Sequence, residues 1–159
     1  SNGTFSLNVS EYRAAFLSDI NAERSKRGIA PLTESANLTA IAQVRAQQST
    51  TNFSHYDSSN KLIFPQVAKQ LNLPSPTSED MNTDFTGDMG YTSENDQGIY
   101  NASDAAKADI YDYIYDDAAN NWGHRDSLLN KSYTKIGMGI VNAPNDPSGA
   151  SYYSVAELS

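Results

Sequence analysis

The 159-residue chain contains no cysteine, one tryptophan, two histidines and few basic residues. Without cysteine there is no disulfide framework, no thiolate zinc site, no iron–sulfur cluster and no thiol nucleophile. Eleven Lys and Arg stand against nineteen Asp and Glu, a formal net charge of −8. That balance argues against nucleic-acid binding driven by phosphate contacts, which needs a basic patch. No apolar run approaches the ~18 residues of a membrane-spanning helix. Leu, Ile, Val and Phe together make up only 29 of 159 residues, a share associated with disorder at high net charge. Ten tyrosines and the tryptophan offset this deficit, because their rings bury large areas while keeping a polar tip. What remains is a folded, acidic, tyrosine-rich domain, of a length suited to one core.

The chain shows no basic-then-apolar leader. Residues 1–9 are expected to be an N-terminal extension or tag remnant, and 10–159 a single domain. A cysteine-free exported protein fits a bacterial cell surface better than an animal or plant secretory route.

Apolar spacing predicts a helix over 10–27, with Ser10 as N-cap, Tyr12, Phe16 and Ile20 on one side, and Gly28 closing it. A second helix is expected over about 35–48, where Leu38, Ile41, Ala42 and Arg45 share a face. A shorter third lies within 61–71, its start limited by Pro65. A fourth is expected over 102–119, capped by Ser103 and Asp104 chemistry. The polar stretch 72–90 reads as a long connection, functional or locally ordered. Alternation over 135–141 and 152–158 around the turn signal Asn145-Asp146-Pro147-Ser148-Gly149 predicts a C-terminal hairpin.

The chemistry-bearing residues are few. His55 and His124 each stand among aromatics and acids, in Phe53-Ser54-His55-Tyr56-Asp57 and Trp122-Gly123-His124-Arg125-Asp126. Glu94 follows Gly90 within a turn-like segment. Asp116 and Asp117 sit at the expected end of the fourth helix, where acids oppose the helix dipole and call for a compensating positive group. Taken singly, each has an ordinary reading as a packing or solvated residue.

In order along the chain, these pieces resemble the CAP superfamily (cysteine-rich secretory proteins, antigen 5, pathogenesis-related 1) in its bacterial SCP-like branch. Leu17 to Arg24 resembles an opening "N-x-x-R" element, carried by Asn21 and Arg24. Phe53-Ser54-His55 resembles "F-S-H". Glu94-Asn95 resembles the centre of "G-E-N", with Ser93 in place of its glycine. Gly123-His124-Arg125 with Leu128-Leu129-Asn130 resembles "G-H-R-x-x-L-L-N", and Tyr133 to Gly139 the strand "F-x-x-I-G-V-G". The resemblance spans roughly residues 13–158. It implies an α+β fold, an α-β-α sandwich with a small central antiparallel sheet covered by helices on both faces. It also implies a cleft of two histidines and two acids: His55, His124, Glu94 and a second acid assigned to Asp116, with Asp117 as the alternative.

Two imidazoles and two carboxylates suit zinc or another divalent cation, with His55 and His124 as the nitrogen ligands. Binding would weaken as pH falls through the histidine range. Without metal the same groups form histidine–carboxylate pairs able to act as general base and acid. No convincing nucleophile accompanies them, since Ser54 and Ser93 qualify only by adjacency. The expected function is therefore a secreted or cell-surface binding module whose partner is a cell-wall, lipid or protein ligand. The alternatives are a metal- or histidine-assisted hydrolase of peptide or cell-wall substrates, and a structural surface module.

Overall fold

In the computed structural model, which describes residues 6–84 and 99–159, the first helix, α1 (Val9–Lys26), starts one residue before Ser10 because Asn8 is the cap. The Asn8 side chain accepts a hydrogen bond from the Glu11 amide at 3.0 Å. Tyr12, Phe16 and Ile20 are buried along one side, and Gly28 ends the helix at φ 69°. The following connector contributes β1 (Thr33–Glu34). Ser35 then caps α2 (Ala36–Ser49), and Pro65 sits in the first turn of α3 (Phe64–Gln70), where a missing N–H costs nothing. Residues ahead of the first cap also join the domain: Ser6 pairs with Asn101 and Leu7 packs on the core.

The stretch read as a long connection contains a strand, β2 (Ser78–Asp84); its positions 85–90 lie outside the described residues. The sequence of β2, Ser-Glu-Asp-Met-Asn-Thr-Asp, hides the period of two because buried positions on both faces are polar. Glu79, Asp80 and Asp84 are buried as side chains with partners rather than as apolar surface. The remaining elements are α4 (Ala102–Tyr115), α5 (Gly123–Leu128), β3 (Lys135–Asn142) and β4 (Tyr152–Leu158). The last two form the expected hairpin. Helix α4 is capped by Asn101 rather than by Ser103 or Asp104, and it stops at Tyr115, short of the expected 119.

The sheet order is β1-β3-β4-β2. Pairs β2–β4 and β3–β4 are antiparallel, but β1 runs parallel to β3, so the sheet is mixed rather than wholly antiparallel. The direction of β1 follows from how α1 hands over the chain. Asn21 holds the Leu32 backbone through both its amide atoms, at 2.8 and 3.0 Å. Arg24, buried, donates to the carbonyls of Ala30, Leu128, Asn130 and Tyr133. The Asn21-x-x-Arg24 element is thus a clasp that ties the end of α1 to the entry of β3.

Helix α2 covers one face of the sheet, with α3 packed on it; α1 and α4 cover the other, and α5 lies against α4 and β2. Ile136, Met138 and Ile140 point into the α1/α4 core. On the opposite face β3 presents two glycines to α2. A Cβ at Gly137 or Gly139 would lie 2.1 or 2.5 Å from the α2 backbone. Their bare backbone lets the helix rest directly on the strand.

Candidate functional site

Successive residues of a strand face opposite sides, so β2 presents two different chemistries. Glu79 points toward α2. There Arg45, whose side chain is fully buried, forms a two-pronged ion pair with it, Nε to Oε2 at 2.9 Å and Nη2 to Oε1 at 3.1 Å. Arg45 also donates to Gln48 Oε1 and to the carbonyl of Ser54. That last bond brings the 53–57 loop down onto the sheet edge. It sets His55 with Nδ1 2.8 Å from Glu79 Oε1, and about a third of the ring remains exposed. Burial alone would push Glu79 up. The neighbouring Glu157 carboxyl, the hydrogen bonds from His55 and Arg45, and the Arg45 charge hold it at about 2. An ionised Glu79 only accepts, so Nδ1 of His55 carries the hydrogen and Nε2 is the open atom.

Asp80 points to the other face and accepts from Ser127 Oγ at 2.9 Å. Burial first, and the charges of Asp117 and Glu79 after it, push its carboxyl well above the usual range despite that bond. His124 belongs to this side. Its Nδ1 lies 2.8 Å from Asp117 Oδ1, and its ring packs on Tyr113 with centroids 4.9 Å apart. Asp117 Oδ2 accepts the backbone N–H groups of His124 and Arg125. The acid expected to oppose the dipole at the end of α4 therefore sits at the start of α5, where the dipole favours it. This is why α4 ends early: a 3-10 turn over Ala118–Asn120 and two left-handed residues, Asn121 and Trp122, reverse the chain toward that cap. Trp122 lies under the Arg125 guanidinium, 4.5 Å from its ring centre.

A cavity of about 300 Å³ opens beside His124, lined by Asn82, Thr83, Asp84, Asp112, Tyr113, Asp116 and Asp117. Behind it Asp109, fully buried, accepts from Tyr12, Ser154, Tyr152 and Asn82. Burial raises Asp109, the Tyr12 and Ser154 donors lower it, and the Asp112 charge raises it, to about 6.

The structure thus brings each histidine onto a carboxylate. Glu79, which holds His55, carries no sequence motif, and Asp117, which holds His124, is the alternative to Asp116. Asp116 is the residue after α4 and lines the same cavity without bonding to either ring; the adjacent Asp117 makes that bond. Ser93 and Glu94 lie outside the described residues. Glu79 meets His55 on the α2 side of β2, and the cavity beside His124 is not lined by His55. Among the described residues, the group of three potential metal ligands within 4.8 Å of one another is Asp84, Asp109 and Asp112, with neither histidine. Ligating imidazoles commonly tie their second nitrogen to a carboxylate, and both rings meet that condition.

Residues 17–158 match the CAP family, the cysteine-rich secretory protein family. The chain belongs to this family. The CAP fold is found again in solved structures. An extracellular protein containing an SCP domain from Bacillus anthracis superposes with a TM-score of 0.61 at 16% identity, over 94% of this chain and 41% of that one. A cysteine-rich secretory protein from Staphylococcus aureus gives 0.57 at 16%, over 95% and 39%. An outer surface protein of Borrelia burgdorferi gives 0.57 at 14%, over 91% and 90%. The chain therefore spans about two-fifths of the first two structures. No curated protein matches the sequence. Among the described residues, no helix is long and apolar enough to cross a membrane. Within this CAP domain, which has no cysteine to crosslink it, the Arg24 clasp and the Arg45–Glu79 pair tie distant segments together.

Proposed function

We propose that this CAP domain is an extracellular or cell-surface binding module whose ligand is met at the edge of β2 by His55 and His124. The observation that carries the reading is the pairing of each ring, through Nδ1, with a buried carboxylate. Each imidazole is fixed in one orientation with Nε2 directed away from its acid. That nitrogen is a ligand atom for a divalent cation such as zinc, or an acceptor for a donor group on a surface ligand. Among the described residues no serine or threonine hydroxyl bonds to either ring; Ser54 Oγ instead accepts the Tyr56 amide. Binding is thus better supported than nucleophilic catalysis.

Calorimetric titration with zinc tests the metal part. Wild type should bind, and His55→Ala and His124→Ala should each weaken binding about tenfold or more, the scale seen when ligand support is lost. Equal affinity in all three proteins overturns it. The ligand part is tested by sedimentation with purified cell-wall material and with lipid vesicles, where His124→Ala should reduce retention.

The cavity beside the His124–Asp117 pair favours one second reading, a hydrolase in which His124 acts as general base on a water. Turnover of a peptide or muropeptide library that disappears in His124→Ala would support it.

A further inference from the structure

We propose that Glu157 is a positioning residue for His55, acting through Glu79 as a neutral carboxylic acid that donates its own hydrogen. The inference deepens the binding reading and rests on it for the importance of His55, but not for its test. Glu157 on β4 is the register partner of Glu79 on β2 and of Gly137 on β3. Its side chain is completely buried, and no N–H or hydroxyl among the described residues reaches either carboxyl oxygen.

The groups around it leave one role open. Gly137 brings no side chain from β3. Arg45, from α2, spends its nitrogens on Glu79, Gln48 and Ser54. His55, from the loop above, is committed to Glu79. Asp80 is the next residue on β2 and faces the other side, toward Ser127. Two carboxyls therefore share one guanidinium, and the one without a donor must keep its hydrogen and give it to the other. Burial, then the bond to Glu79 and its charge, push Glu157 well above the usual carboxylate range, against the pull of Arg45.

With that hydrogen in place, Glu79 is surrounded by donors: Arg45 twice, His55 Nδ1 and Glu157. It stays ionised and fixed, and His55 is locked with its hydrogen on Nδ1. Without it, a second negative charge would face Glu79 in the sheet, and the support beneath His55 would loosen.

The experiment is NMR on the metal-free, ligand-free protein, with ¹³C in glutamate carboxyls and ¹⁵N in histidine rings. It compares wild type, Glu157→Gln and Glu157→Ala across neutral to alkaline pH. One glutamate carboxyl should resonate as a neutral acid at neutral pH in wild type and be missing in Glu157→Gln. The neutral His55 ring should be of the Nδ1–H form in wild type and in Glu157→Gln, which keeps a donor, and should show that form less completely in Glu157→Ala, where Arg45 alone still holds Glu79. Raising the pH until Glu157 ionises should move wild type, not Glu157→Gln, toward the alanine variant. If Glu157→Ala does not fold, this pH comparison decides alone. Absence of a neutral glutamate at neutral pH, or a His55 ring indifferent to Glu157, overturns the proposal. Failure of zinc or cell-wall binding leaves these readouts untouched.

Discussion

Asp109 and Glu79 are buried carboxylates with opposite pH signs. Glu79 is held at about 2, below its unfolded value near 4.5. Its contribution is present above the unfolded value and lost as pH falls toward the folded one. Asp109 is raised to about 6, above its unfolded value near 3.8. Its contribution is complete below the unfolded value and lost as pH rises through the folded one. Each amounts to roughly 3 kcal/mol. Thermal melts should therefore show greatest stability near about pH 4 to 5 from these two groups. Asp109→Asn should flatten the fall between about pH 4 and 6, whatever it does to the absolute melting temperature. A slope unchanged in that variant would remove Asp109 as its source. At the same scale, Arg24→Ala leaves four carbonyls without their shared donor. It should cost about 3 kcal/mol or more, measured by urea unfolding.

The elements legible in the sequence are those built by apolar spacing. Tyr12, Phe16 and Ile20 mark α1, Leu38 and Ile41 mark α2, and the alternation around two glycines marks β3. Strand β2 is not legible, because Glu79 and Asp80 satisfy burial through partners 34 and 47 residues away. One signal does exist: Arg45 on the apolar side of α2 demands a buried acid. The end of α4 is hard to place because Asp117 reads locally as a helical residue, while its role as cap for α5 is set by the turn at Asn121 and Trp122. Both histidines stand out through their flanking motifs. Their carboxylate partners do not, since no local spacing marks Glu79 and nothing local separates Asp117 from Asp116. The contact between α2 and β3 yields a prediction at this scale. Gly139→Ala should separate helix from strand and destabilise by about 3 kcal/mol, the upper range of overpacking. Gly28→Ala serves as a comparison in the same unfolding measurement, since there a Cβ meets no atom but φ is strained.

Across the whole molecule, the two histidine–carboxylate pairs are fastened by long-range ties, not by crosslinks. Arg45 joins α2, the 53–57 loop and β2, while Asp117 joins the end of α4 to α5. The only indole in the chain is Trp122, beneath Arg125 and two positions from His124. Its fluorescence is consequently a built-in optical gauge. An ion or ligand that settles on the neighbouring imidazole should change the emission of a single chromophore, so arrival at that half of the edge can be timed in a stopped-flow instrument without any dye.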